Sequence, residues 1–197
     1  MQIAADLKKV EALFSNFKRG QHSLDSRIAW LRDADSRADR AIARWSSEIQ
    51  RRDAGTKPEF EFSANGRPYK DADKERLAAV FATAMKRAVE RRSEDTFQRA
   101  ELVPVGSYRG FEIQVSCERQ KIHFTVTGRD SYEPDNLVYR VDDKFSISGF
   151  ISRLDNFLER LEGWRDEAES TRGRELSELN KACLLYTSDA ADEGLGV

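Results

Sequence analysis

The sequence predicts an α+β fold in which long N- and C-terminal coiled-coil-like helices flank a small antiparallel sheet with one packed helix. Three observations predict it. Apolar residues in the N-terminal quarter recur at alternating four- and three-residue spacing, the period of a helical seam. From residue 58 the period falls to two and is punctuated by turn signals, as in strands. From residue 148 the helical spacing returns. The expected division is a long heptad helix over 1–57, an α+β insert over 58–147, a second long helix over 148–182 and a tail over 183–197.

The first stripe is Ile3, Leu7, Val10, Phe14, Phe17, Gln21, Leu24, Ile28, Leu31, Asp35, Ala38, Ile42, Trp45 and Ile49. It keeps register over about 47 residues, or about 70 Å of helix, and only Gln21 and Asp35 break its apolar character. Gly20 weakens the middle by about 1 kcal/mol relative to Ala, and Ser23 could cap a second helix, so a helical hairpin is the rival. One long helix is preferred, because a loop has no reason to preserve register across itself. A stripe of this length needs a partner. The second long helix, packed antiparallel with the insert at one end, is the simplest.

After the break at Asp53–Pro58, Phe60 and Phe62 alternate with Glu59, Glu61 and Ser63 as a half-buried strand. Asn65-Gly66 signals a two-residue hairpin, and Pro68 marks the returning strand as short or at an edge. Asp71 or Asp73 caps a helix running to about Arg92, with Leu77, Val80, Phe81, Ala84, Met85 and Ala88 on its apolar face. Leu102, Val103 and Val105 then precede an expected turn at Gly106–Gly110. Phe111, Ile113 and Val115, followed by Ile122, Phe124 and Val126, alternate with polar residues in a meander with one wet face. A loop over 128–136 leads to a last strand from Leu137 to Val141. Ser146 or Ser148 opens the second long helix, whose stripe is Ile151, Leu154, Leu158, Leu161 and Ala168, widened by Phe150, Phe157 and Trp164. Beyond Ala168 only Leu176 and Leu179 remain apolar, and the helix narrows toward a seam.

The run Cys183-Leu184-Leu185-Tyr186-Thr187-Ser188-Asp189-Ala190-Ala191-Asp192-Glu193 resembles a translated sequencing adapter, with Gly194 to Val197 as its continuation. The native polypeptide is expected to stop being read near Ala182, as a piece of a longer protein. The chain has 33 Lys+Arg against 35 Asp+Glu. Setting aside Asp189, Asp192 and Glu193 leaves 33 against 32, close to neutral. Residues 1–57 hold twelve Lys/Arg and eight Asp/Glu, an excess that permits a nucleic-acid partner without demanding one. A 35% charged fraction fits long solvated helices. With Cys183 in the adapter-like tail, Cys117 is the one native thiol. The composition offers no signal peptide and no membrane span, so a reducing cytoplasm is expected.

No catalytic, cofactor-binding or metal-ligating set is found. His22 and His123 stand near no second soft ligand, and His123 falls on the polar face of its strand. Cys117 lies at a strand end with no His beside it in sequence, which suits a core or edge thiol better than a nucleophile. The Gly106–Gly110 run lacks the Lys-Ser/Thr of a phosphate loop and leads into a strand, not a helix. Asp142-Asp143 reads as a turn, and Asp71 and Asp73 as a helix start. Lys86, Arg87, Arg91 and Arg92, with Arg99 and Arg109 downstream, are the candidate nucleic-acid contacts, since each neutralised phosphate releases counterions. The competing reading is a solvated face balanced by Glu90, Glu94 and Asp95.

Three phrases occur in order: Phe60-Glu61-Phe62-Ser63-Ala64-Asn65-Gly66-Arg67-Pro68-Tyr69, Val105-Gly106-Ser107-Tyr108-Arg109-Gly110-Phe111-Glu112 and Ser148-Gly149-Phe150-Ile151-Ser152-Arg153-Leu154-Asp155-Asn156. Set between helical seams, they resemble the C-terminal accessory region of very large phage and conjugative-element proteins. Those proteins join a superfamily 2 helicase to an N-6 adenine DNA methyltransferase. The resemblance implies a non-catalytic accessory module of such a DNA-processing parent, whose partners are the rest of that chain and DNA. The motifs are structural, and no catalytic residue carries over. The alternative is a structural coiled-coil dimerisation or scaffold protein without DNA contact, self-associating through the heptad helix.

Overall fold

The unbroken heptad register produces one helix, α1 (Gln2–Gly55), which runs through Gly20 without a hairpin. The penalty of one glycine is small against the continuous ladder of bonds on either side of it. The computed structural model describes residues 2–92 and 100–193. Contacts group the chain into two units: Arg44–Trp164, and residues to 43 together with those from 165.

In the Arg44–Trp164 unit the sheet is antiparallel and ordered β2-β1-β3-β4-β5-β6, with β7 also paired to β5. Its strands are β1 (Phe62–Ala64), β2 (Arg67–Tyr69), β3 (Val103–Tyr108), β4 (Phe111–Glu118), β5 (Lys121–Thr127), β6 (Ser131–Tyr132) and β7 (Val138–Arg140). Asn65 and Gly66 turn β1 into β2 with φ of 51° and 72°, the two positive values that a two-residue hairpin with twisted arms requires. Pro68 lies on β2, at the sheet edge, where a missing N–H costs least.

The expected turn at Gly106–Gly110 is shorter than the sequence suggested. β3 continues through Gly106 and Ser107 to Tyr108, and only Arg109 and Gly110 turn, with φ of 48° and 81°. Gly106 is needed for another reason: a Cβ there would collide with the Ser63 carbonyl on β1 and the Phe62 ring. It marks a bulge in the β3–β4 register between Pro104 and Gly106. The expected loop over 128–136 also holds order, since β6 pairs with the end of β5. The last strand is one residue shorter at each end than expected, because Leu137 closes a 3-10 turn over Asp135–Leu137. The sheet's outer face is not simply wet. Ser116 is 6% exposed and Thr125 is 2% exposed. Directly across from them in the β4–β5 register stand His123 and Gln114.

A 3-10 turn over Asp71–Asp73 feeds α2 (Lys74–Glu90). Leu77, Phe81, Ala84 and Ala88 are buried from it, at helical spacing, while Val80 and Met85 flank the core. Phe81 is the hub. Its ring centroid lies 5.3 Å from Phe62, 5.8 Å from Phe124 and 4.9 Å from Phe150. Phe111, Ile113, Val115, Cys117, Ile122, Phe124 and Val126 complete the sheet's inner face, all at most 2% exposed. The third helix, α3 (Ile147–Glu193), starts at Ser146, whose Oγ accepts the Gly149 N–H at 3.3 Å. Of the two serines offered by the sequence, Ser146 is therefore the cap. Phe150, Leu154, Leu158 and Leu161 of α3 are fully buried. Trp45 of α1 packs on Trp164 of α3, ring centroids 5.0 Å apart and planes tilted by 44°.

In the other unit, the two helices pair antiparallel: Arg27 meets Glu178 at 2.9 Å, and Arg172 meets Asp35 at 3.0 Å and Asp39 at 2.8 Å. Leu31, Ala34 and Ala38 are buried between these pairs, and Ala182, beyond Glu178 on α3, is buried too. Asp35, an apparent flaw in the stripe, is thus matched by an arginine across the seam. Leu176 departs from expectation at 37% exposed. The continuing face of α3 instead passes through half-buried Ala168, Thr171, Arg172, Glu175 and Leu179.

Candidate functional site

The six candidate cations do not form one cluster. Lys86, Arg87, Arg91 and Arg92 lie exposed at the C-terminal end of α2 and just beyond it. Lys86 reaches Glu90 at 4.0 Å, and Arg91 donates to Glu101. Arg87 borders a surface groove of about 290 Å³ with Asn65, Thr83 and Pro104. Ion pairs between exposed side chains contribute little to stability. Arg99 lies outside the described residues, as do Glu94 and Asp95.

Arg109 sits elsewhere. It borders a cleft of about 450 Å³ that also contains Lys74, at the opposite end of α2 from Lys86, about 18 Å along the helix. Its Nη1 donates to Asp155 Oδ1 at 3.2 Å and its Nε to Thr56 Oγ1 at 3.1 Å. Tyr108 Oη donates to the same Asp155 oxygen at 2.9 Å. Burial first, and then the neighbouring Asp155 carboxylate, push the Tyr108 hydroxyl well above its ordinary range. It is a hydrogen-bond donor to Asp155, not a base. The other two cations of the cleft are matched as well, Lys57 by Glu61 and Lys74 by Asp71 at 2.6 Å. The cleft lies at the junction of the α1–β1 linker, the β3 end and α3, and its three cations are outnumbered by Glu59, Glu61, Asp71, Asp155 and Glu159.

Two buried ionic features escaped sequence reading. Glu48 on α1 is fully buried, yet its neighbours in the stripe are apolar. Its Oε1 accepts from the backbone N–H of Arg129 at 2.7 Å, that of Asp130 at 3.3 Å and the Tyr132 hydroxyl at 3.4 Å. Arg51 supplies a counter-charge 3.3 Å from Oε2. Gly128 lets this carboxylate approach closely: a Cβ there would meet Glu48 Oε2 and the Phe111 ring, so those side chains would have to shift. Arg52 is the second. It bonds Glu162 with two guanidinium nitrogens, Asp53 with Nε and Nη2, and the Leu158 carbonyl at 3.1 Å. Its guanidinium is held more firmly protonated than usual, mainly by the Glu162 hydrogen bond. The signal available in sequence was weak: Arg52 falls where the stripe Trp45, Ile49 would continue with a hydrophobic residue, whereas Glu48 lies beside the stripe.

Among the described residues no group of His, Cys, Asp and Glu is arranged to hold a metal ion, and no helix is long and apolar enough to cross a membrane. Cys117 is buried, and burial pushes its thiol up, away from reactive thiolate. His123 sits half-exposed on β5 opposite Ser116. No family model, curated protein or solved structure matches the chain.

Proposed function

We propose that this chain is a non-catalytic accessory module of a larger DNA-processing polypeptide, a helicase joined to a DNA methyltransferase, and that it positions that polypeptide on DNA or on a partner chain. The DNA-processing parent rests on the three-phrase resemblance. The contact with DNA is carried by one observation: Lys86, Arg87, Arg91 and Arg92 are gathered, exposed, at one end of α2. In this reading the long helices and the aromatic core supply rigidity, and the ionic junctions at Glu48, Arg52 and Asp155 hold loops and helices in place. The module belongs in a reducing cytoplasm, where Cys117 remains a thiol.

The test is a fluorescence-anisotropy titration of a labelled DNA duplex at several salt concentrations. Log affinity is expected to fall with log salt with a slope of about −0.9 for each phosphate contacted. The Lys86→Glu/Arg87→Glu double variant should flatten it. A slope near zero for the unaltered chain overturns the DNA contact. The alternative, a dimerisation or scaffold protein without DNA contact, is favoured by the exposed apolar residues near the start of α1, Leu7 to Phe17. Sedimentation at two protein concentrations tests it.

A further inference from the structure

We infer that the groove between α2 and the β1–β2 hairpin takes an unstacked base of a single DNA strand, whose phosphates are met by arginines along the same flank of α2. The inference rests on the DNA contact proposed above and deepens it, from charge alone to a site that selects single strands. The groove encloses about 290 Å³. Val80, Ala84 and Val105, buried or half-buried, form its floor, and exposed Asn65, Thr83, Arg87 and Pro104 stand around it. A nucleobase asks for this combination, apolar surface against its face and polar groups at its edge. A duplex keeps its bases stacked and offers phosphates and groove edges instead. Asn65 supplies an amide donor and acceptor, and among the described residues that amide has no hydrogen-bond partner. Thr83 Oγ1 donates to the Ala79 carbonyl at 2.8 Å, which leaves its lone pairs free to accept.

The charge around the groove suits a polyanion. Arg76, Arg87 and Arg91 follow one another at spacings close to whole helical turns, so all three leave α2 within about 60° of one another. Arg87 lines the groove itself, and no acid among the described residues pairs with it. Arg76 meets Asp73 at 3.5 Å, and Arg91 donates to Glu101. None of the described residues lining the groove is acidic. Glu90, on the solvent side of the arginine row, faces Lys86 at 4.0 Å. Lys86 lies about 100° around the helix from Arg87 and takes no part. Arg67, directly opposite Ala64 in the hairpin register, leaves the sheet on the side that α2 covers and adds a fourth cation. Arg87 and Arg91 stand one turn apart, about 6 Å along the axis, and so reach neighbouring phosphates of one strand while its base enters the groove beside them.

The experiment titrates the full chain with a labelled oligothymidylate of about twelve nucleotides, and separately with a labelled duplex of equal length, read by fluorescence anisotropy. At one salt concentration the single strand is expected to bind at least about fivefold more tightly, with a log–log salt slope of about −0.7 per phosphate met. The Asn65→Gly/Thr83→Leu variant removes the amide, fills the groove and keeps all four arginines, and glycine suits the positive φ at this turn. It should lower single-strand affinity to that of the duplex and leave duplex affinity unchanged. Ala79→Leu narrows the groove from its exposed side without touching the turn and should act in the same direction. Equal binding of the two DNAs by the unaltered chain, or a preference that both variants retain, overturns the inference and leaves the DNA contact standing. Binding of neither DNA overturns both. Binding of a polyglutamate peptide that both variants lose, without a preference for single strands, assigns the groove to an acidic protein segment and overturns the inference as well.

Discussion

Glu48 illustrates how a single charged residue can be structural. A buried carboxylate is costly unless hydrogen bonds or opposite charge replace its water. Here two backbone N–H groups and a tyrosine hydroxyl replace it at one oxygen, with Arg51 near the other. The Glu48→Ala change leaves the N–H groups of Arg129 and Asp130 without that acceptor and is expected to cost about 3 kcal/mol. Glu48→Gln keeps an acceptor oxygen and should cost less. Urea unfolding midpoints of the two variants check the order, and two changes without effect would make the carboxylate incidental. Little of this was legible in the sequence. Glu48 stands beside Ile49 in a charged helix, and its partners are backbone groups 81 and 82 positions away. Chain-distant partners of that kind leave no local periodicity. Arg52 and Glu162, 110 positions apart, were hidden for the same reason. Gly66 and Ser146 were legible because turns and caps are satisfied within a few residues.

At the scale of elements, periodicity carried far. The single α1 helix, the Asn65-Gly66 hairpin, the buried face of α2 and the inner face of β4 and β5 all follow from spacing that depends on the element alone. The β3 turn was misjudged because glycine has two uses: it can turn a chain, or admit a neighbour too close for a Cβ, and Gly106 does the second. Leu176 was misjudged because α3 faces its partner through mixed polar positions once the apolar residues thin out. The α1 seam has its sharpest test at Leu31, 3% exposed and bracketed by the Arg27–Glu178 and Asp35–Arg172 pairs. Leu31→Asp places an unpaired charge there and should cost several kcal/mol, on the order of 3, in that helix pair. Hydrogen exchange along residues 24–39 should accelerate, and unchanged exchange would remove the seam. Arg172→Leu is expected to be milder or neutral, since Asp35, about a quarter exposed, can turn to water.

Taken whole, the chain distributes its stability unevenly. Nearly all its large buried side chains belong to Arg44–Trp164, where Phe62, Phe81, Phe111, Phe124 and Phe150 meet Leu77, Leu154, Leu158 and Leu161 at full burial. Each such side chain contributes about 1.5–3 kcal/mol on leaving water. In the other unit the buried apolar residues among those described are Leu31, Ala34, Ala38 and Ala182, mostly too small to bury much area. Its pairing relies on ion pairs between exposed or half-exposed side chains, which are screened and individually weak. The boundary of independent stability should therefore fall within the two long helices, near Arg44 and Trp164, and not at their ends at Gly55 and Ile147. A chain cut to residues 44–164 keeps Trp45 against Trp164, Glu48 in its loop and Arg52 on Glu162. It is expected to unfold in one cooperative transition. A chain cut to 58–146 loses those contacts along with Phe150, Leu154, Leu158 and Leu161, exposing the inner face of the sheet, and should not fold. Thermal unfolding of the two fragments decides the matter: cooperative melting of the shorter one would mean that the long helices only decorate a self-sufficient sheet.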